Sequence, residues 1–209
     1  MEEPLESISL LRRGKAGRLV ARRMEEFRAA GRSSGDRIFS ELCFCILTAN
    51  YTAEGGIRIQ KDVGNGFCTM DEGELAKRLR SLGHRFPNAR ARYIAEARKH
   101  RVKLDEVFRT CSSGEMREWL ALNVKGLGYK EASHFLRNIG VTDLAIIDFH
   151  IIDILAKNGL IKKPKSRSLT RKKYLEIERV LARLAKKAHL TLAELDLYLW
   201  YLETGKILK

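Results

Sequence analysis

The sequence predicts an all-α fold, two helical lobes facing each other across a cleft, and three observations carry that expectation. Apolar residues recur at helical spacing along most of the chain, and no stretch shows the period-two alternation of a half-buried strand. Between Met116 and Ile154, two amphipathic segments flank a Gly-x-Gly turn, the signature of a helix-hairpin-helix. A length of 209 residues with 44% hydrophobic content suffices for one domain, or for two small lobes sharing a cleft.

Taken in order, residues 5 to 30 set Leu10, Leu11, Leu19, Val20, Met24 and Phe27 among basic positions, with a break near Gly14 to Gly17. That pattern predicts one or two helices with a solvated basic face. Gly31 to Gly35 reads as a loop and Asp36 as the cap of the next helix, whose Ile38, Leu42, Cys45, Ile46 and Ala49 share one face of a core element. Residues 53 to 82 read as two helices separated by Gly64-Asn65-Gly66, the second restarted by Asp71. Pro87 disfavours helix at Phe86, so Arg85 and Phe86 are expected on an exposed turn among further arginines, with His84 as a surface histidine. Residues 89 to 110 predict a long helix and a shorter one after Lys103.

The hairpin itself is Lys125-Gly126-Leu127-Gly128-Tyr129-Lys130, preceded by Met116, Trp119, Leu120 and Val124 and followed by Ala132, Phe135, Leu136 and Ile139. Its glycines allow positive φ and close approach by another molecule, and a helix start presents unpaired N–H groups with the positive dipole end outward. A phosphate fits such a place, with the N–H groups of Gly126 to Tyr129 as the clamp. Eighteen residues after Lys130, Asp148 interrupts the apolar run Ile146 to Leu155 and reads as a helix N-cap. That helix should stop at Asn158-Gly159. The basic run Lys162 to Arg167 with Arg171 to Lys173 reads as a solvated loop offering non-specific attraction to a nucleic-acid backbone. Two helices, about 170 to 188 and 191 to 204, should close the chain, the last with Leu192, Leu195, Leu199 and Leu202 as its core stripe. The division expected is residues 1–34, packing with the C-terminal lobe, a central lobe over 35–112, and the hairpin with the C-terminal lobe over 113–209.

Charge narrows the function. Forty Lys and Arg against 26 Asp and Glu leave a net charge of +14, the footprint of a protein that binds a polyanion. No apolar run is long enough for a bilayer span and no signal peptide opens the chain, so a cytoplasmic, nucleoid-associated monomer is expected. The four cysteines, Cys43, Cys45, Cys68 and Cys111, show no CxxC spacing and read as reduced packing residues. A single glutamine among 32% charged residues points mildly to a hot-living source.

A hairpin, a lysine two residues after its second glycine, and an aspartate in an apolar frame at this distance resemble the helix-hairpin-helix DNA glycosylase superfamily. Within it, Leu47-Thr48-Ala49-Asn50, Arg85-Phe86-Pro87-Asn88 and the final Lys209 most resemble the archaeal-type 8-oxoguanine DNA glycosylase/lyase family. The resemblance implies a base-excision repair enzyme acting on double-stranded DNA that contains oxidised guanine, with a DNA-binding cleft between the lobes. It implies no cofactor beyond a monovalent cation that such hairpins often hold. The four-cysteine iron-sulfur cluster of some relatives has no ligands here after Cys111.

Lys130 is the implied nucleophile, because a first-turn lysine meets a helix dipole and partial burial that both disfavour its ammonium form. Asp148 is the implied stabiliser of a cationic sugar, a role compatible with capping. Lys125, Gly126 and Gly128 are the candidate phosphate contacts, and Arg85 and Phe86 the candidate wedge for the hole left by an extruded base, with local packing of Phe86 as the other reading. Asn50 reads either as a pocket residue or as a helix cap. Trp200 reads as a pocket wall or as core, and Lys209 stands where the family places its C-terminal lysine in the base pocket. Two further readings share these residues: a glycosylase/lyase for another oxidised base, and a non-catalytic hairpin module that binds DNA.

Overall fold

Thirteen α-helices and a single 3-10 turn make up the computed structural model, which describes residues 2–166 and 168–209 and has no strand among them. Helices α1 (Glu2–Arg12) and α2 (Lys15–Gly31) part at Gly14, as the sequence predicts. Val20, Met24, Phe27 and Ala30 form the buried stripe of α2, while Arg22, Arg23 and Arg28 pair with Glu25 and Glu26 on its outer side. Helix α3 (Gly35–Thr48) runs through the middle of the molecule and buries every residue from Glu41 to Thr48. Its N-cap is Ser34. Asp36, expected there, lies in the first turn and pairs with Arg101.

Helix α4 (Ala53–Val63) starts at Thr52, whose hydroxyl accepts the Gly55 N–H at 3.2 Å. A one-turn α5 (Gly66–Thr69), absent from the sequence expectation, fills the gap before α6 (Glu72–Ser81). Asp71 caps α6 as expected, accepting from Glu74 N at 2.8 Å while Glu74 accepts from Asp71 N at 3.1 Å. Such a reciprocal cap contributes about 1 kcal/mol. Helix α7 (Pro87–Ala97) begins on its proline, and the 3-10 turn Arg98–His100 joins it to α8 (Arg101–Thr110), so the break falls before Lys103 and not after it. Then come the hairpin helices α9 (Ser113–Asn123) and α10 (Tyr129–Asn138), followed by α11 (Phe149–Lys157), α12 (Arg171–Ala188) and α13 (Leu192–Thr204). Gly159, at φ +67°, ends α11 in the left-handed conformation that the Asn-Gly pair predicts. Arg167 of the basic run lies outside the described residues. Leu202, expected in the core stripe of α13, is 43% exposed because the last turn of that helix overruns the core.

Two apolar cores result. The first gathers Phe39, Phe44, Ile59, Leu75, Ile94, Leu120 and Phe135, and so includes both hairpin helices. The second joins Val20 and Phe27 of α2 to Ile151, Leu155, Tyr174, Leu181 and Leu199 of the last three helices. Lys130 therefore rises from a helix of one core and Asp148 from the start of a helix in the other. Two devices tie these bodies together. At the crossing of α2 with the end of α10, a methyl on Gly31 would lie 2.0 Å from the Ile139 carbonyl oxygen, so only glycine fits. On the other side, Arg117 of α9 grips both carboxylate oxygens of Glu178 on α12 at 2.5 and 2.9 Å, and Glu178 also accepts the Ala145 N–H at 2.9 Å. Arg117→Met should strand that part-buried carboxylate without its main partner and lower the unfolding free energy by about 3 kcal/mol in a denaturant titration. A loss below about 1 kcal/mol would mean that Glu178 is solvated or repaired by another donor. Among the described residues, no helix is long and apolar enough to cross a membrane.

Candidate active site

At the hairpin, Gly126 adopts φ +89° with its α-carbon against the Tyr93 ring of α7, where a Cβ would meet Cδ2 at 2.7 Å. Both demands need glycine. Lys125 Nζ lies 3.0 Å from Glu96, also on α7, so the hairpin leans on that helix through one aromatic and one ionic contact. Gly128 is the N-cap of α10, and Lys130 is the second residue of that helix. Of the four N–H groups expected to clamp a phosphate, two are engaged within the protein. Leu127 N donates to the Val124 carbonyl at 3.2 Å, because Leu127 is buried and carries its backbone inward with it. Gly128 N donates to the Glu131 carboxylate at 3.3 Å. That same carboxylate stands 3.5 Å from Lys130 Nζ, whose side chain is 32% exposed.

Asp148 caps α11, as the sequence predicts, accepting the Ile151 N–H at 2.9 Å with its Oδ1. It does not act alone. Asp196 of α13 is paired with Arg137 of α10. Burial, reinforced by the Asp148 charge, pushes the Asp196 carboxyl up to about 6, against the opposing pull of Arg137 and Lys130. The charges of Lys130 and Asp148 thus both act on the Asp196 carboxyl, to which the two cores contribute from opposite sides.

Lys209 reaches into the same region from the far end of the chain. Its Nζ donates to both oxygens of Glu41 at 2.8 and 3.0 Å, donates to Gln60 Oε1, and sits 4.7 Å from the centroid of the Phe44 ring. The side chain is only 13% exposed, and burial lowers the ammonium pKa while Glu41 opposes that shift. His134, one turn beyond Lys130 on α10, packs edge-on against Phe44 at 5.6 Å, and its Nε2 is buried without a hydrogen-bond partner among the described residues. Burial, and then the charges of Arg137 and Lys130, hold the His134 imidazole well below its ordinary pKa, so it is neutral.

The candidate wedge has its own support. Phe86 is the N-cap of α7, 38% exposed, with the guanidinium of Arg85 5.0 Å and that of Arg90 5.7 Å from its ring centroid. His84, expected at the surface, is buried, because both ring nitrogens have partners below it. Nδ1 accepts the Phe86 N–H at 3.0 Å, which leaves Nε2 to donate to the Leu47 carbonyl at 3.0 Å. Burial lowers its pKa and keeps this neutral tautomer. Arg90 hydrogen-bonds the Ala49 carbonyl at 2.5 Å, tying the end of α3 to the underside of the wedge. Asn50 follows at φ +59°, exposed, in a left-handed conformation that asparagine tolerates better than most residues. It ends α3 beside the wedge support, one residue past the C-cap Ala49.

Trp200 is half-buried and packs edge-on against His150, two residues past Asp148, with ring centroids 5.6 Å apart. The structure therefore groups Lys130, Asp148, Lys209 and Trp200 around α10, α11 and α13. A second group, Asn50, Arg85 and Phe86, joins Lys125 and Gly126 along α7. Sequence reasoning missed Glu41, Gln60, Arg137, Asn138 and His134. Glu41 had a legible signal, since it is the only charged residue between Phe39 and Ala49.

Residues 20–190 match the family described as 8-oxoguanine DNA glycosylase. The chain is 47% identical over 210 residues to an 8-oxoguanine DNA glycosylase/AP lyase of Korarchaeum cryptofilum, spanning 100% of this chain and 99% of that protein. It is 49% identical over 206 residues to one of Methanocaldococcus jannaschii, spanning 98% and 99%. The solved structure of the M. jannaschii 8-oxoguanine glycosylase/lyase in complex with a 15mer DNA containing 8-oxoguanine superposes with a TM-score of 0.94 at 48% identity, over 98% of this chain and 99% of that one. The Thermotoga maritima 8-oxoguanine DNA glycosylase does so with a TM-score of 0.93 at 45% identity, over 100% and 99%. With a hairpin lysine, a helix-capping aspartate and full-length likeness of sequence and fold, the chain belongs to the 8-oxoguanine DNA glycosylase family.

Proposed function

We propose that this chain excises 8-oxoguanine from double-stranded DNA and cuts the strand at the resulting abasic site through a lysine Schiff base. The observation that carries it is that Lys130 of the hairpin and the capping carboxylate Asp148 both act on Asp196, the partner of Arg137, where the two cores meet. The target base must leave the stack before C1′ can be approached, at a cost of a few kcal/mol. Phe86, held by His84 from below and flanked by two guanidiniums, is placed to fill the gap. The cationic surface and the N–H groups at the start of α10 hold the backbone phosphates. On this reading Glu131, which occupies the hairpin in the free protein, gives way to a phosphate.

Lys130 Nζ, as the neutral amine, attacks C1′; the N-glycosidic bond breaks, and its electron pair leaves with the base, which takes up a proton. Opening of the sugar ring gives the imine, which acidifies C2′–H. Loss of that proton expels the 3′ phosphate by β-elimination. Asp148, its carboxylate held by the Ile151 N–H, stabilises the positive charge that builds on the sugar during base departure.

Base identity is a separate matter, because 8-oxoguanine differs from guanine at N7, which becomes a donor and calls for an acceptor. We assign that end of the site to Lys209, with Trp200 as an apolar wall. Removal of Lys209 should slow 8-oxoguanine excision in single turnover about tenfold or more, while cleavage of a pre-formed abasic site changes little. Borohydride trapping on duplexes carrying 8-oxoguanine, an oxidised pyrimidine or guanine should give the strongest adduct with 8-oxoguanine. A preference for the pyrimidine would overturn the substrate reading.

A further inference from the structure

Glu41 is 2% exposed, on a helix whose neighbours from Leu42 to Leu47 are all apolar and buried. An ionised carboxylate in such a place is costly unless its oxygens are fully partnered, and an apolar residue of similar volume would often serve stability better. Here the partners come from three distant segments. Lys209 Nζ contacts both oxygens, Gln60 Nε2 donates to Oε1 at 3.2 Å, and Asn138 Nδ2 donates to Oε2 at 3.3 Å. Asn138 in turn accepts from Arg137, the partner of Asp196. A continuous polar chain therefore runs from Lys209 through Glu41, Asn138 and Arg137 to the Asp196 carboxyl, on which the charges of Asp148 and Lys130 also act.

We propose that Glu41 is a positioning residue for base recognition: it grips the Lys209 ammonium, so that the backbone end of Lys209 is presented to the extruded base in one fixed place. The inference rests on the assignment of Lys209 to the base pocket. A lysine side chain left free samples many rotamers, and a tail of this kind ordinarily frays. Lys209 is held by its ammonium instead, which Glu41 grips with both oxygens and Gln60 with its amide oxygen.

Glu41→Gln keeps the shape of the side chain and removes its charge. It should slow single-turnover excision of 8-oxoguanine about tenfold or more and leave cleavage of a pre-formed abasic site within about threefold. Combined with removal of Lys209, it should add nothing to the excision loss, because both changes break one contact. A loss shared equally by the two substrates, or additive in the combined variant, would overturn the proposal while leaving Lys209 in the pocket. An unselective effect of Lys209 removal itself would overturn both. Should Glu41→Gln fail to fold, Lys209→Met, which removes only the ammonium, must reproduce the selective loss; unaltered excision by that variant overturns the proposal.

Discussion

Lys130→Gln is expected to abolish base release and strand cleavage together, by about 10⁴-fold or more in single turnover, while affinity for duplex DNA stays within a few-fold. The two losses coincide because one nitrogen forms the bond to C1′ and then carries the imine. Affinity survives because one ammonium is removed from a net charge of +14. Fold should survive as well, since Lys130 is partly exposed and pairs with its neighbour Glu131. Borohydride trapping, gel-shift affinity and thermal unfolding on the same preparation decide the matter. A variant that still forms the covalent adduct would assign the nucleophile to another amine, and Lys209, buried against Glu41, would be the first to examine.

Asp148→Asn should slow base excision by about 10²–10⁴-fold and leave the melting temperature nearly unchanged. Asparagine caps helices about as well as aspartate, so the bond to Ile151 N persists and the start of α11 stays in place. What disappears is the negative charge facing the sugar. The substitution also removes the like charge that helps raise the Asp196 carboxyl, so Asp196 should ionise at lower pH than about 6. The Asp196 carboxylate then replaces part of the lost field, which sets the smaller end of the expected loss. Excision near the wild-type rate would leave Asp148 with capping as its whole role.

How legible this was depended on whether a residue's task left a local mark. Lys130 and Asp148 could be read because a Gly-x-Gly turn locates the lysine and an acid interrupts an apolar run at Asp148. The same interruption occurs at Glu41, yet it was passed over, since its partners at Gln60, Asn138 and Lys209 are far apart in sequence and only folding brings them together. His84 was misread for a related reason. A histidine beside an exposed proline turn looks solvated, and the Leu47 carbonyl that buries it belongs to another helix. The helices themselves were clear where capping chemistry marks them, at Asp71, Asp148 and the Asn158-Gly159 pair. They were less clear at α5, a single turn too short to show a period, and at the α7–α8 junction, where no Gly or Pro marks the break.

The close crossing of α2 with the end of α10 has a consequence for how the molecule is made. The apolar stripe of α2 is covered by α10 and α13, and α1 packs on α12 and α13, so the first thirty residues find their partners among the last eighty. During synthesis Val20, Met24 and Phe27 have to wait for α10 and α13, while the first core lacks only its α10 residues, such as Phe135 and Leu136, once α9 has been made. Helices α1 and α2 are therefore expected to be seated late. Because Gly31 and the Ile139 carbonyl leave no room for error, that late docking step also sets the final position of the helix that carries Lys130.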